Sequence, residues 1–358
     1  MNDYDLWFSL INLSHKIKLE LIKNYKTTEE IWYYYMNNSK YEKSEIIVFS
    51  ALKKAWNIEK IEGIKNIMFK ENMKLITYYN PIFPSKLKYY DDCPSILFYK
   101  GNIEKLNENY NIGIVGSRKC TNYGVDVTRI ITKELCNNNI NIISGLAKGI
   151  DAYAHKTCID NEKYTCAILG SGIDVVYPRE NKQLYNEILK NGCIISEYVP
   201  GTEPYAYNFP IRNRIISAIS DIVIVVEASN KSGSLITAGL AAEQGKDVMA
   251  VPGSIFSEQS MGTNKLIRDG AYPFTCVDDI FELLGIKYNK TNIKEKSLTK
   301  FEEAIFKIIT DTPIHIDDIV RRSNIDIKQL YEVLFELQLK NELMCLAGNY
   351  YVKINNKI

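Results

Sequence analysis

A chain of 358 residues exceeds the roughly 100–200 residues of a typical domain, so two or three domains are expected. The formal net charge of +1 excludes a chain-wide field that attracts polyanions, so any nucleic-acid site must be local. The eight cysteines form no C-x-x-C pair, and neither a signal peptide nor an apolar run of about 18 residues occurs, which predicts a cytoplasmic protein without disulfides, zinc or a membrane span.

The spacing of apolar residues and the positions of polar and turn-forming segments divide the chain into three blocks and two connections. Residues 1–78 carry apolar side chains at helical spacing, and residues 79–110 form an extended, proline-marked connection. The central block, 111–286, is followed by a polar linker, "KYNKTNIKEKS", at 287–297. In residues 298–358, two short helical segments, a longer one from Asp326 to Lys340 and a hairpin, "ELMCLAGNYYVKI", predict a winged helix.

Six short apolar runs organise the central block, and each ends in a turn followed by a helical pattern. They begin at residues 112, 140, 165, 193, 221 and 247. Runs without polar alternation indicate strands that are covered on both faces, as in a parallel sheet between helices. The sequence therefore predicts an α/β fold with a doubly wound, mostly parallel Rossmann-like sheet. Within it we expect a helix over Ile215–Ile219 and a strand over Val223–Val226.

Three of the predicted strand ends are rich in glycine and serine. Glycine lets the backbone approach an anion, and the following helix N-terminus presents free N–H groups, so together these loops predict a phosphate-bearing ligand. The G-x-G-x-x-G and G-x-x-x-x-G-K-[ST] patterns are absent, which disfavours dinucleotide and Walker-type sites. The candidate loop residues are Gly116, Ser117, Gly145, Gly149, Ser232, Gly233 and Ser234.

Four basic residues adjoin these loops in the sequence: Arg118, Lys148, Arg212 and Arg214. Their positions predict a track for several phosphates at the carboxyl edge of the sheet. The alternative for Arg214 is a salt bridge with Glu227 or Asp221, and the alternative for Arg118 is an ordinary surface arginine.

Aromatic residues precede the arginine pair at alternate positions: Tyr205, Tyr207 and Phe209. Bases of a single strand stack on exposed rings while arginines hold the backbone, so these rings are candidates for base stacking. The alternative is that they cover the sheet as half-buried side chains.

With these residues assembled, the chain closely resembles the DNA-processing protein DprA (Smf) family. The matching strings run in order from residue 112 to 271: "GIVGSR", "SGLAKGIDAYAH", "ILGSGIDVVYP", "FPIRNRIISAIS", "VVEASNKSGSLITA", "AVPG" and "GTNKLIRDGA". The resemblance implies a Rossmann-like core that binds single-stranded DNA, forms a homodimer and helps to load a RecA-type recombinase during natural transformation. It assigns DNA contacts to Arg118, Lys148 and the motif Arg212-Asn213-Arg214, with the glycine-serine loops lining the phosphate path.

No catalytic constellation, metal site or cofactor is predicted. Asp151 and His155 lie four residues apart on one helix face, as an acid/base or metal pair would, but a helix cap at Asp151 and a local hydrogen bond at His155 are the favoured explanation. The competing hypotheses are a nucleotide-binding sensor and a nucleotide phosphoribohydrolase, whose P-G-G-x-G-T-x-x-E loop partly resembles "SGSLITAGLAAE". In that loop Ser234 replaces the second glycine and Glu243 lies farther along.

The two end blocks are not expected to bind DNA. The resemblance implies a sterile-alpha or helix-hairpin-helix module at the N-terminus, yet "SLINLSHKIKLELIKNY" lacks the Gly-x-Gly hairpin that contacts phosphate. The longest C-terminal helix carries Asp326, Glu332 and Glu336 against Lys328 and Lys340, which favours protein docking or a structural role. Residues 298–358 are therefore predicted to be dispensable for single-strand binding.

Overall fold

The computed structural model describes residues 2–37, 43–290, 298–323, 325–339 and 342–353. The chain divides into two compact units, Met1–Tyr288 and Asn289–Ile358. The boundaries predicted at residues 78 and 110 fall within the first unit and remain predictions. Most of the predicted linker, from residue 291 to 297, lies outside the described residues.

The first unit begins with five helices, and polar side chains cap the starts of three of them. The Asn2 side chain accepts from the Asp5 amide at the first start, Ser14 accepts from Ile17 at the second, and Asn57 caps the fifth. The helices are α1 (Asp3–Leu10), α2 (His15–Tyr25), α3 (Thr28–Asn37), α4 (Lys43–Ala55) and α5 (Ile58–Lys70).

A sheet of nine strands, counted over the described residues, forms the centre of the first unit. The strands are β1 (Lys74–Thr77), β2 (Ile96–Gly101), β3 (Asn111–Val115), β4 (Asn141–Ser144), β5 (Thr165–Leu169), β6 (Cys193–Ser196), β7 (Ile222–Val225), β8 (Asp247–Ala250) and β9 (Tyr272–Pro273). Their order is β1-β2-β6-β5-β4-β3-β7-β8-β9, with β3 to β9 parallel, β2 antiparallel to β6, and β1 antiparallel to β2. This confirms the predicted doubly wound, mostly parallel sheet.

Helices cover both faces of the sheet, which is why every residue of β3 to β7 is buried. They are α6 (Lys105–Glu108), α7 (Asn122–Asn137), α8 (Ile150–Asp160), α9 (Lys182–Asn191), α10 (Asn208–Ile219), α11 (Ser234–Glu243), α12 (Met261–Arg268) and α13 (Asp278–Leu284). Successive strands are added on one side of β3 as far as β6, and the chain then crosses to β7 on the other side. This reversal opens a crevice at the carboxyl ends of β3 and β7, where ligands bind in such sheets.

Helix α10 is longer than the sequence predicts. It begins at Asn208 instead of Ile215, so both arginines of the R-N-R motif lie inside the helix and not before it. The prediction followed apolar spacing alone, whereas the first half of α10 buries Arg212 and Arg214 through polar contacts.

The N-terminal helices share a hydrophobic core with one end of the sheet. Leu6, Trp7 and Phe8 of α1 belong to the same buried cluster as Phe98 of β2 and Ile194 of β6. The indole Nε1 of Trp7 donates to the backbone oxygen of Leu52 at 2.9 Å, so its polar atom is paired within that core.

The second unit is a winged helix, as the sequence predicts. It contains α14 (Lys300–Ile308), β10 (Ile314–His315), α15 (Ile316–Ser323), α16 (Ile327–Leu339), β11 (Leu343–Leu346) and β12 (Tyr350–Lys353). The strands pair antiparallel in the order β10-β12-β11, and the three helices enclose a core that includes Ile305, Ile319 and Leu334. In the described parts of both units, every helix is too short or too polar to cross a membrane.

Candidate nucleic-acid interface

A cleft of about 750 Å³ lies at the carboxyl ends of β3 and β7, where the strand order reverses. Its lining combines the first and third glycine-serine loops with the N-terminal half of α10. Four cationic side chains, Arg118, Lys119, Arg212 and Lys231, line it against two carboxylates, Asp151 and Glu258. The cleft therefore offers a net positive, polar surface to a ligand.

The first loop places Arg118 at the mouth of the cleft. The hydroxyl of buried Ser117 donates to Gln259 Oε1 at 2.6 Å and accepts from the Lys119 amide at 3.0 Å, which fixes the turn after β3. The exposed Arg118 guanidinium lies 5.8 Å from the centre of the Phe209 ring. A guanidinium held over a ring in this way is pre-positioned for an anion.

The second loop is joined to the first by Gly149. This residue has φ +76° and caps α8, and a Cβ built on it would lie 2.2 Å from the Ser117 carbonyl oxygen. The Ile150 amide donates to that same oxygen at 3.2 Å. Gly149 thus permits the close approach of the two loops and does not itself line the cleft.

Lys148, also in the second loop, lies beside the cleft in a small adjoining pocket that it shares with Gly145 and Arg212. Its ammonium forms an ion pair with Glu180 at 2.6 Å, and both side chains are more than half exposed. An exposed pair of this kind contributes little stability, so Lys148 can exchange the carboxylate for a phosphate at small cost.

Arg212 is buried and forms the inner wall of the cleft. Its guanidinium donates to the backbone oxygen of Gly145 at 2.8 Å and to that of Ile168, so its partners are neutral carbonyls at the ends of β4 and β5. Burial lowers the pKa of Arg212 to about 10, with nearby Asp151 opposing the shift, and the side chain stays charged at neutral pH. Asn213, beside it, donates to the Gly233 oxygen at 3.4 Å and links α10 to the third loop.

Asp151 and His155 do not form a pair. Asp151 Oδ2 accepts from the amides of Gly145 at 3.1 Å and Ala147 at 3.4 Å, and burial raises the pKa of this carboxyl. His155 Nδ1 instead contacts Thr165 Oγ1 at 2.7 Å, and burial lowers the pKa of the ring to about 3. Both residues organise α8 and the second loop. The capping alternative is wrong in its details, because Gly149 is the N-cap of α8 and His155 bonds to Thr165 on β5 and not locally.

Arg214 points away from the cleft. It is buried, its guanidinium contacts Glu197 Oε2 at 2.5 Å, and Asp92 lies 3.8 Å from its Nε. Glu197 also contacts His15 of α2 at 2.8 Å. The sequence places Arg214 in the phosphate track, but the structure does not bring it to the lining that Arg118 and Arg212 share.

The ion pair anticipated for Arg214 exists with a different partner. Glu227 accepts instead from the amide of Thr121 at 2.8 Å and from its hydroxyl at 2.6 Å, and so holds the N-cap residue of α7. Asp221 pairs with Lys86 at 2.5 Å. Both carboxylates are nearer to Arg214 in sequence than Glu197 is, but α10 turns the Arg214 side chain toward Glu197.

The third loop forms the opposite wall of the cleft. The hydroxyls of Ser232 and Ser234 lie 2.7 Å apart, and Ser234 begins α11, with Gly233 as its N-cap. Lys231 precedes them and lines the same wall. A helix start with two hydroxyls and an ammonium is suited to a phosphate group.

The three aromatic candidates occupy two different environments. Phe209 lines the cleft between the guanidinium groups of Arg118 and Arg212, each 5.8 Å from its ring centre. Tyr205 and Tyr207 are half or more exposed, and their parallel rings have centres 5.5 Å apart. Exposed parallel rings offer free faces, whereas Phe209 is part of the wall.

The lining residues that sequence reasoning missed include Lys119, Tyr177, Lys231 and Gln259. The two lysines had a detectable signal, because each adjoins a glycine-serine loop that was already singled out. Tyr177 and Gln259 had none, since they reach the cleft from distant parts of the chain, with the Tyr177 ring 5.5 Å from Phe209.

The hydrolase pattern is not assembled at this cleft. Glu243 ends α11, about 14 Å along the helix from Ser234 at 1.5 Å per residue, and its side chain is exposed. Among the described residues no group of three or more histidine, cysteine, aspartate or glutamate side chains is arranged to hold a metal ion.

Comparison with known proteins finds similarity along most of the chain. A family model described as DNA recombination-mediator protein A matches residues 74–285, and one described as the DprA winged helix domain matches residues 292–349. The DNA processing protein DprA of Bacillus subtilis is 46% identical over 202 residues, covering 56% of this chain and 68% of that protein. Protein Smf of Escherichia coli is 33% identical over 290 residues, covering 78% of this chain and 77% of the relative.

Solved structures match the same region. DNA processing protein A from Streptococcus pneumoniae superposes with a TM-score of 0.68 at 30% identity, covering 79% of this chain and 98% of that one. The protein from Helicobacter pylori, described for its single-stranded DNA binding mode, gives a TM-score of 0.54 at 31% identity over 59% of this chain and 95% of that chain. With a family model spanning more than half its length, the chain belongs to the DNA-processing protein DprA/Smf family.

Proposed function

We propose that this protein binds single-stranded DNA in the cleft at the carboxyl edge of its sheet. The observation that carries the proposal is the composition of one continuous lining: Arg118, Lys119, Arg212 and Lys231 beside two glycine-serine loops and the Phe209 ring. The single-strand binding described for the Helicobacter pylori relative supports the same assignment.

The preference for single strands follows from the aromatic residues. Rings can stack only on bases whose faces are free, and in a duplex those faces are covered by neighbouring bases. Tyr205 and Tyr207 lie in the segment that leads into α10, close in sequence to the lining residues Pro204, Ala206 and Phe209. A strand held in the cleft by its phosphates can therefore extend its bases onto these two rings.

Within this proposal the residues have different tasks. Arg118, Lys119, Lys148 and Lys231 bring charge to the strand from positions that are open to solvent or line the cleft. Arg212 adds a fixed positive charge to the inner wall. The backbone and hydroxyls of Gly116, Ser117, Gly145, Ser232, Gly233 and Ser234 shape the path, with Gly149 and Asn213 holding the loops together. Arg214 is a positioning residue that holds α10.

We further propose that the bound strand is passed to a RecA-type recombinase by a homodimer of this protein. The description of the matching family as a recombination mediator supports the transfer step. Within the described part of the sheet, β9 forms one end and Tyr272 on it is half exposed, so this edge is open to a second copy. Sedimentation of the free protein and strand-exchange assays with recombinase test these two steps separately.

The site itself is tested by measuring oligo-dT affinity by fluorescence anisotropy across a salt series. Log affinity should fall with log salt by about 0.7 per neutralised phosphate, and Arg118→Ala should weaken binding and flatten that slope. Arg129→Ala is the matched control, because Arg129 also lies over a ring, 5.5 Å from Tyr153, but on α7 away from the cleft. Equal affinities for the two folded variants would exclude the cleft as the DNA site.

A further inference from the structure

The outer face of α16, in the second unit, carries a stripe of large apolar side chains. Ile327, Tyr331 and Phe335 are 47%, 46% and 60% exposed. Their spacing of four residues places them in one row along the helix, since each step of four turns the helix by only about 40°. Leu330 and Leu334, on the adjoining face of the helix, are buried in the core of the winged helix.

This stripe is not needed to hold the second unit together. The side chains that build its core come from the inner face of α16 and from α14, α15 and β12, and none of the three stripe residues belongs to that cluster. A contiguous patch of exposed apolar side chains often marks an interaction site on a soluble protein. Tyr and Phe are also among the residues that anchor protein interfaces.

The charges beside the stripe define what can bind it. Glu332 and Glu336 are exposed one helical turn apart, each following a stripe residue, and Lys328 lies on the same row nearer the helix start. With two carboxylates against one ammonium, this row does not attract phosphates as the basic recognition helices of DNA-binding winged helices do. The same row attracts lysine and arginine side chains.

We propose that α16 is a docking surface for a basic amphipathic helix of a protein partner. The partner would place apolar side chains, repeated every three to four residues, between Ile327, Tyr331 and Phe335, and set its lysine or arginine residues against Glu332 and Glu336. Two helices that pack in this way lie about 8–10 Å apart, a distance that these side chains can fill. This recognition is independent of the DNA cleft, which belongs to the first unit.

The test is a selection from a phage-displayed library of helical peptides on the immobilised full-length protein. Enriched peptides should be net positive and carry the apolar repeat, and Tyr331→Ala with Phe335→Ala should weaken a selected peptide at least about tenfold. Replacing Glu332 and Glu336 by lysine should reverse the charge preference of the selection. Hydrogen exchange of the full chain with one selected peptide should show protection within Ile327–Leu339.

Three outcomes would overturn the proposal. They are enrichment of acidic peptides or of none, peptide binding that the alanine pair leaves unchanged, and a concentration-dependent self-association that the alanine pair abolishes, which would make a second copy the occupant. Phe69→Ala, which removes another exposed ring from a helix of the first unit, is the matched control. Oligo-dT affinity of the same variants separates this result from the DNA proposal, because it should not change.

Discussion

The two arginines of α10 show how one short motif serves two regions of the molecule. Arg212 and Arg214 are two residues apart, which sets them about 200° apart around the helix, and both are buried. Arg212 faces the cleft and donates to the neutral carbonyl oxygens of Gly145 and Ile168. Arg214 faces the N-terminal helices and contacts the carboxylate of Glu197.

The two arginines differ in whether a carboxylate neutralises their positive charge. The groups that accept hydrogen bonds from Arg212 are neutral carbonyls, and the nearby carboxyl of Asp151 forms no direct ion pair with it, so part of its field remains available to a ligand in the cleft. Arg214 is neutralised by Glu197, which also binds His15 of α2. The buried Lys18 ammonium stands near the same carboxylate, and burial lowers its pKa to about 8 while Glu197 opposes the shift. The guanidinium of Arg212 therefore contributes positive charge to the cleft, and that of Arg214 connects α10 to α2 through Glu197.

The largest expected effect is the loss of stability when the ion pair between Arg214 and Glu197 is removed. Arg214→Ala leaves Glu197 buried without its main partner, and breaking such a pair typically costs about 3–5 kcal/mol of unfolding free energy. Denaturant unfolding monitored by circular dichroism would measure the loss. Adding Glu197→Gln to the Arg214→Ala protein should recover part of the lost stability, because the unpaired carboxylate is then removed.

The pH dependence of stability gives this prediction a second readout. Burial opposes ionisation of Glu197, but Arg214 and His15 outweigh it, so the pKa of the carboxyl lies below its ordinary value of 4.5. The contribution of the pair is thus complete above pH 4.5 and is lost as the pH falls from there through the lower pKa of the folded state. An Arg214→Ala protein whose acid unfolding profile matched the unmodified protein would contradict the assignment.

The second prediction concerns the other face of α10. Arg212→Gln keeps a donor near the loop carbonyls but removes the charge, so oligo-dT binding should weaken by about 1.5–3 kcal/mol, the usual strength of a charge-assisted hydrogen bond. Arg212→Lys keeps the charge and should preserve more of the salt dependence. The matched control is the Arg214→Ala protein, measured at a temperature below its unfolding transition. This variant should bind oligo-dT with normal affinity. If Arg212→Gln and Arg214→Ala weakened oligo-dT binding equally, the assignment of different roles to the two arginines of α10 would be wrong.

The sequence predicted the sheet well because its strands are buried on both faces. Runs such as "IGIVGSR" and "DIVIVVEAS" have no polar alternation, and this pattern has few solutions besides a parallel sheet. β2 was missed, since its short run, Ile96–Gly101, follows a proline-rich segment that was read as a connection. Its antiparallel pairing with β6 depends on distant residues that no local pattern records.

The site was predicted less completely because a side chain's direction is decided by its helix. Arg118 and Arg212 line the cleft as expected, but an identical residue type at position 214 turns away. Whether Arg214 meets a phosphate or Glu197 depends on where α10 begins, and the apolar pattern gave that start seven residues too late, at Ile215 instead of Asn208. A carboxylate partner contributed by β6 could not be identified from spacing along the chain.

The third prediction tests the exposed rings at the entrance to α10. Tyr205→Ala or Tyr207→Ala should each weaken single-strand binding by about 1–3 kcal/mol while leaving the salt slope unchanged, because stacking involves no counterion release. Both rings are half or more exposed, so thermal stability should change little. Phe209→Ala provides the contrast: its ring is part of the cleft wall, and its removal should lower both stability and affinity. A stability loss without an affinity loss for the tyrosine variants would make these rings structural.

The smallest effect on DNA binding is expected from removing the second unit. The exposed carboxylates of α16, Glu332 and Glu336, do not attract a phosphate backbone, and the cleft is lined by residues of the first unit. The truncated chain should end after residue 290 and not at 286, because the Tyr288 ring stacks on Phe281 with centres 4.5 Å apart and its hydroxyl donates to Glu134 at 2.8 Å. This protein should fold and bind oligo-dT with nearly full affinity in the anisotropy titration. A tenfold weaker complex, equivalent to about 1.4 kcal/mol, would show that residues beyond 290 contact the strand, and would place part of the DNA site outside the cleft.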